Sequence, residues 1–140
     1  MAEVPDEYLA FMHDLISAYH QKLTETLSPK VAETFRDIAS DSIVKKLGIE
    51  AEQKNTLSDI LSKWGIKSQV VTIGDDVQCH LECPYATIVH PLLTAEHPIC
   101  PLSFMTLGVV RLRAPASQMI VNGINSDGAQ LTVRRANIRK

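Results

Sequence analysis

The sequence predicts an α+β domain in which N-terminal helices pack on an antiparallel sheet made of hairpins. Apolar residues recur at three- and four-residue steps through about the first 65 positions, which is the spacing of one helix face. Beyond Gly65 they alternate with polar residues, as in half-buried strands. The helices precede the hairpins without a βαβ order, so the sheet is expected to be antiparallel. The 140 residues, 45% of them hydrophobic, are expected to form one domain.

Three helices are predicted in the N-terminal half, each with a start or stop signal. The first covers positions 6–27, where apolar residues mark a wide face. The pair Ser28-Pro29 combines a helix cap with a first-turn proline, and it begins a second helix that ends at Gly48. A third helix carries the apolar residues of positions 57–64 and ends at Gly65. Residues 1–65 are therefore expected to be a helical lead-in.

Two hairpins with a helix between them are predicted in the C-terminal half. Positions 70–82 alternate on either side of the turn Gly74-Asp75-Asp76. Positions 101–113 return to helical spacing, although Gly108 interrupts a helix interior. The second hairpin is centred on the turn Asn125-Ser126-Asp127-Gly128.

Composition excludes some classes of partner. A formal net charge of -2 and a pI near 6.2 leave no basic surface of the size that nucleic-acid backbones require. No apolar run approaches the roughly 18 residues of a membrane span, and the first residues lack the pattern of a signal peptide. We therefore expect a cytoplasmic protein that binds neither nucleic acid nor membrane.

Candidate metal ligands are concentrated between positions 79 and 100, which hold all three cysteines and three of the five histidines. Zinc needs donors that meet within about 2.0 to 2.3 Å of one point. A Cys–His pair three positions apart in a proline-containing turn can bind one ion, and a second cysteine precedes a proline that ends a strand. The predicted ligands of a zinc site are Cys83, His90, His97 and Cys100. Cys79 alternates in phase with apolar strand residues and is predicted to be a core thiol.

Three alternatives remain open at this level. The histidines can be ordinary loop residues beside buried thiols. The same donors can hold an iron–sulfur cluster or form a redox module, which a visible absorption band would distinguish from zinc. A catalytic zinc is the third, as in a hydrolase or a tetrapyrrole reductase, with Glu82 or Glu96 as the general base, although no recognisable catalytic pattern surrounds either residue.

The order strand, Cys83-Pro84, loop, Ile99-Cys100-Pro101, apolar helix and closing hairpin resembles the 4-vinyl-reductase-like, or hydrocarbon-binding, domain family. The resemblance covers residues 66–136 and implies a fold related to the Golgi transport-particle subunits. It also implies a small-molecule-binding or sensory module, with zinc in some members at positions matching Cys83 and 97–100. The chain departs from the family at 128–131, where many members have a cysteine, so a histidine has to complete the ligand set.

An apolar or aromatic ligand is expected between the helices and the sheet, because no phosphate-binding loop is present. The predicted lining residues are Tyr8, Met12, His13, Phe35, Trp64, Phe104 and Met105. The alternative is a water-exposed helix flank for His13 and a plain core position for each of the others. His20 lies two helical turns from His13, so the two can face one pocket. A homodimer is expected because the first helix has a wide apolar face and no output domain is evident.

Overall fold

The computed structural model describes residues 5–49, 56–95 and 98–136, and it confirms the predicted α+β architecture. Its elements, in chain order, are α1 (Asp6–Thr26), α2 (Pro29–Lys46), α3 (Thr56–Lys63), β1 (Lys67–Ile73), β2 (Asp76–Glu82), α4 (Ala86–Val89), a 3-10 turn (His90–Leu92), α5 (Leu102–Arg111), β3 (Gln118–Ile124) and β4 (Gly128–Arg134). The short helix α4 and the 3-10 turn lie where the sequence predicted only a loop. No helix in these described ranges has the length and apolar character needed to cross a lipid bilayer.

The four strands form one antiparallel sheet in the order β1-β2-β4-β3. The central strands β2 and β4 pair from Asp76↔Arg134 to Glu82↔Gly128. The predicted alternation on β2 is confirmed, since Val77, Cys79 and Leu81 are buried and the residues between them are not. The Glu82 end of β2 and the Gly128 end of β4 therefore lie side by side at one end of the sheet, next to the segment that follows Glu82.

The helices cover one side of the sheet in layers. α3 and α5 contact the strands, and α2 packs mainly on α5. That crossing is close because a Cβ atom on Gly108 would lie 2.5 Å from the carbonyl oxygen of Ser40. Arg111 adds a bidentate ion pair to Asp41, with its Nε 2.9 Å from Oδ1 and its Nη2 3.2 Å from Oδ2. The glycine that seemed to weaken the predicted helix is thus required by helix packing.

The predicted helix boundaries follow local signals. Ser28 caps α2 by accepting a hydrogen bond from the Val31 amide, at 3.1 Å. Gly48 and Gly65 follow α2 and α3 with φ angles of 70° and 77°, a left-handed conformation that favours glycine. Beneath these helices the core is aliphatic, with Leu61 and Leu131 fully buried.

Helix α1 buries little of its apolar face. Its buried residues are Ala10 and Ser17, although the sequence marked larger residues as its inner face. The large side chains that remain substantially exposed on α1 are Tyr8, Phe11, Met12, Leu15 and Tyr19. Within the described part of the chain, the fully buried positions of α1 are thus small residues, while Leu9, Ile16 and Leu23 are half-buried.

Candidate functional site

A cavity of about 740 Å³ lies between α1, the adjacent ends of β2 and β4, the start of α5 and the segment after β2. We call the described residues 83–95 and 98–100 the cavity segment because Cys83, α4 and Cys100 form much of the wall. The volume is within the range of small-molecule sites. Most of the wall is apolar, with side chains that include Leu9, Met12, Ile16, Ile66, Leu81, Ile88, Val89 and Leu102.

Two polar side chains of α1 hold the cavity segment in place. The carboxylate of Asp14 accepts hydrogen bonds from the Thr94 amide (3.1 and 3.0 Å), the Thr94 hydroxyl (3.0 Å) and the Ala95 amide (3.0 Å). One turn further along, the Ser17 hydroxyl accepts from the Ile99 amide at 2.9 Å. These contacts satisfy backbone donors of an irregular segment that would otherwise need water. We call Asp14 and Ser17 the α1 clamp.

The hydrogen bonds at the α1 clamp also change the acidity of Asp14. Burial raises the pKa of this carboxyl, but the hydrogen bonds from Thr94 and Ala95 outweigh burial and hold the pKa below its ordinary value of 3.8. Asp14 is therefore ionised throughout the neutral and mildly acidic range. In that state all of its contacts to the cavity segment are charge-assisted.

The turn between β3 and β4 supports the opposite side of the cavity. His90 places Nδ1 2.7 Å from the carbonyl oxygen of Asn125, and the Cys83 amide donates to the Asp127 carbonyl oxygen at 2.8 Å. A carbonyl oxygen can only accept, so Nδ1 of His90 carries the hydrogen. In the neutral ring, Nε2 of His90 is then left with a free lone pair.

His13 is the polar side chain that stands out in the cavity wall. Its ring meets that of His90 edge to face, with ring centroids 5.6 Å apart. Its Nδ1 is buried and has no hydrogen-bond partner among the described residues. Burial, and next the charge of His90, lower the pKa of His13 to about 4 against the opposing effect of Asp14. At neutral pH His13 is therefore an uncharged group that can hydrogen-bond to a bound molecule.

Three of the four predicted zinc ligands, Cys83, His90 and Cys100, line this one cavity. His97 lies outside the described residues, as does Glu96. The donor atoms of the three do not all come within 4.8 Å of one another, a spacing that the described residues reach only at His80, Glu82 and Asp127. Burial also raises the pKa of the Cys100 thiol to about 11, so it is protonated at neutral pH. The three described ligands therefore share a cavity, but they are not arranged as a preformed metal site.

The other predicted residues occupy different surroundings. Met12 and His13 lie in the cavity wall, whereas Met105 belongs to the core. Tyr8, Phe35 and Trp64 are about half exposed, and neither they nor Phe104, His20 and Glu82 are in the cavity wall. Cys79 is fully buried in the core, as predicted, and burial raises its pKa to about 11.

The sequence analysis did not predict the α1 clamp, although the sequence of α1 contains a signal for it. Ala10, Asp14 and Ser17 recur at helical spacing between the large apolar residues of α1. A stripe of small and polar residues on an otherwise apolar helix indicates close approach by another chain segment. The partners of Asp14 and Ser17, however, lie 80 to 82 positions later in the chain.

Comparison of the chain with protein-family models, with curated proteins and with solved structures finds no match. The resemblance to the 4-vinyl-reductase-like family therefore stays a prediction. What the site can do has to be inferred from its own geometry.

We expect Asp14→Asn to release the cavity segment from α1. The amide keeps the size of the carboxylate but loses its charge and presents a donor to backbone donors, which should lower the free energy of unfolding by about 1 to 2 kcal/mol. Urea denaturation measures this, with Glu7→Gln, an exposed site at the start of the same helix, as the control.

The effect of Asp14→Asn should also depend on pH. A carboxyl whose pKa is depressed by folding contributes its full stability above 3.8 and loses it as the pH falls through the lower folded value. The difference in free energy of unfolding between wild type and Asp14→Asn should therefore stay constant above pH 3.8 and decrease below it. An equal loss in Glu7→Gln, or a difference that widens in acid, would contradict the assignment.

Proposed function

We propose that the protein is a small-molecule-binding module and that the cavity beside α1 takes an uncharged, largely apolar or aromatic ligand. The observation that carries this proposal is an apolar cavity of about 740 Å³ with the imidazole of His13, uncharged at neutral pH, in its wall. The resemblance to hydrocarbon-binding domains points to the same class of ligand. A sensory role is part of the proposal, since ligand contacts would reach α1 and the cavity segment together.

The polar groups of the cavity wall favour a neutral ligand with one hydrogen-bonding group. The ring of His13 is uncharged at neutral pH, and Nε2 of His90 has a free lone pair in the neutral ring. A hydroxyl, carbonyl or amide on the ligand can satisfy such groups without a change of charge. A carboxylate would be opposed by Asp6, which also lines the cavity, and would gain little from a His13 whose pKa is about 4.

An uncharged apolar ligand should raise the melting temperature. A ligand that binds only the folded state raises the free energy of unfolding by about 2.7 kcal/mol when its concentration is a hundredfold above Kd. Met12→Ala removes part of the apolar wall and should raise the dissociation constant of such a ligand by about tenfold. Trp64→Ala is the matched control, since Trp64 is 46% exposed and lies outside the cavity.

A thermal-shift screen with aromatics, fatty acids and tetrapyrroles, followed by titration calorimetry, makes this measurement. The proposal fails if only nucleotides or anions stabilise the protein. It also fails if Met12→Ala and Trp64→Ala weaken an apolar ligand equally.

We also propose that the protein binds zinc through Cys83, His90, His97 and Cys100. The metal would then hold the cavity segment in place. This proposal is favoured by the convergence of three of these residues on one cavity and by the Nδ1 hydrogen bond of His90, since metal-binding histidines commonly donate their other ring nitrogen to a carbonyl. An iron–sulfur cluster remains the alternative cofactor. A metal-dependent enzyme gains less support, because Glu82 does not line the cavity.

The zinc proposal predicts that Cys100→Ser lowers the metal content and the melting temperature together. Cys79→Ser is the matched control, because it replaces another buried thiol that lies in the core and outside the cavity. Elemental analysis of untagged protein, purified without added metal, measures about one zinc per chain if the proposal holds. Metal-free wild type, or equal loss in both variants, would contradict it, and a visible absorption band would indicate iron instead.

We also propose that α1 mediates a homodimer. Tyr8, Phe11, Leu15 and Tyr19 recur at helical spacing and are 54%, 58%, 37% and 66% exposed. Such a row of large apolar side chains is typical of a surface that another chain covers. A second copy of the chain is the proposed partner, and pairing of two α1 helices would bring two cavities close to the interface.

Phe11→Glu should dissociate the dimer, because burying an unpaired carboxylate at an interface costs several kcal/mol and raises the dissociation constant well over tenfold. Ile73→Glu is a matched control on the edge strand β1, with the same exposure of 58%. Light scattering over a range of concentrations measures the mass. A wild-type mass of one 15.5 kDa chain at every concentration would end this proposal.

A further inference from the structure

A cluster of side chains of metal-binding type lies outside the cavity, at the end of the sheet that carries the β3–β4 turn. His80 and Glu82 are two residues apart on β2 and so project from the same face of the sheet. Asp127 reaches the same point from the β3–β4 turn, and one donor atom from each residue lies within 4.8 Å of the other two. His80 Nε2 is 3.4 Å from Asp127 Oδ2. The group thus combines one imidazole with two carboxylates from two separate parts of the chain.

Gln130 sets the orientation of the imidazole. It lies opposite His80 in the β2–β4 register, with its Oε1 3.2 Å from His80 Nδ1. An amide oxygen only accepts, so Nδ1 carries the hydrogen, and in the neutral ring the lone pair of Nε2 faces Asp127. Nε2 of His80, a carboxylate oxygen of Asp127 and one of Glu82 thus converge on one point, where a cation would contact all three.

The backbone around Asp127 is held in place before any ion binds. Its carbonyl oxygen accepts from the Cys83 amide at 2.8 Å, and its amide lies 3.3 Å from Asn125 Oδ1. The Gly128 amide donates to the same Asn125 oxygen at 2.8 Å. A ligand residue on a fixed turn loses little conformational freedom when it coordinates an ion.

We propose that His80, Glu82 and Asp127 bind a first-row divalent transition-metal cation. One nitrogen and two carboxylate oxygens suit cations such as Mn²⁺ or Zn²⁺, and three protein ligands leave coordination positions for water. The site is independent of the cavity and of the thiols proposed as zinc ligands. Through Asp127 and Cys83 it adjoins the start of the cavity segment, so the bound ion stabilises the turn that supports the cavity wall.

Mn²⁺ is the probe of choice, because thiols bind it poorly and carboxylates bind it well. Chelator-treated full-length protein is titrated with Mn²⁺, and the free ion is measured by electron paramagnetic resonance. We expect one ion per chain, with Asp127→Asn and Glu82→Gln each weakening binding by more than tenfold. Gln130→Ala, which leaves all three ligands in place, should weaken it by about tenfold. Asp75→Asn, an exposed carboxylate in the β1–β2 turn at the other end of the sheet, should leave it unchanged.

Nuclear magnetic resonance of wild-type protein provides a test that needs no variant. Among the five histidines, Mn²⁺ should broaden the ring signals of His80 first. The proposal is overturned if no saturable binding occurs, as when a protonated His80 simply pairs with Asp127, or if Asp75→Asn weakens binding as much as Asp127→Asn. It is also overturned if Cys100→Ser abolishes binding while Asp127→Asn does not, since the ion would then lie at the cavity thiols.

Discussion

Four hydrogen bonds converge on the carboxylate of Asp14, and they come from residues 80 and 81 positions later in the chain. Ser17 adds a fifth from Ile99. Together these bonds join α1 to a segment whose described residues include two short helical turns. The cavity lies between these two elements, the ends of β2 and β4 and the start of α5. Its shape thus depends on a polar contact, whereas the sheet and the inner helices depend on aliphatic packing.

This division has consequences for function. The core residues Leu61, Leu107 and Leu131 are fully buried and lie outside the cavity wall. The cavity wall combines a fixed part, the ends of β2 and β4, with α1 and the segment that the α1 clamp holds. Elements with few buried apolar contacts open at lower free energy than a core does. On the proposed function, ligand entry and a signal to the proposed second copy would involve movement at α1.

The fold was predictable where local signals determine it. The alternation through Val77, Cys79 and Leu81 specified both the strand and its buried face, and Ser28, Gly48 and Gly65 marked helix ends through their own backbone chemistry. Spacing alone does not reveal what an apolar face packs against. For that reason Phe35 and Trp64, assigned to a pocket, are about half exposed, and the wide face of α1 remains largely uncovered. Asp14 and Thr94 form a pair that only the folded chain brings together.

The cysteine and histidine pattern predicted a shared site, and the structure places Cys83, His90 and Cys100 in the wall of one cavity. The pattern did not predict how the segment is held. The contacts that hold the segment, however, are its own backbone amides bonded to Asp14 and Ser17. Amide hydrogen exchange in chelator-treated protein tests this account most directly. Slow exchange at Thr94, Ala95 and Ile99 without added metal is the predicted result, and exchange as fast as in an open chain until zinc is added would contradict it.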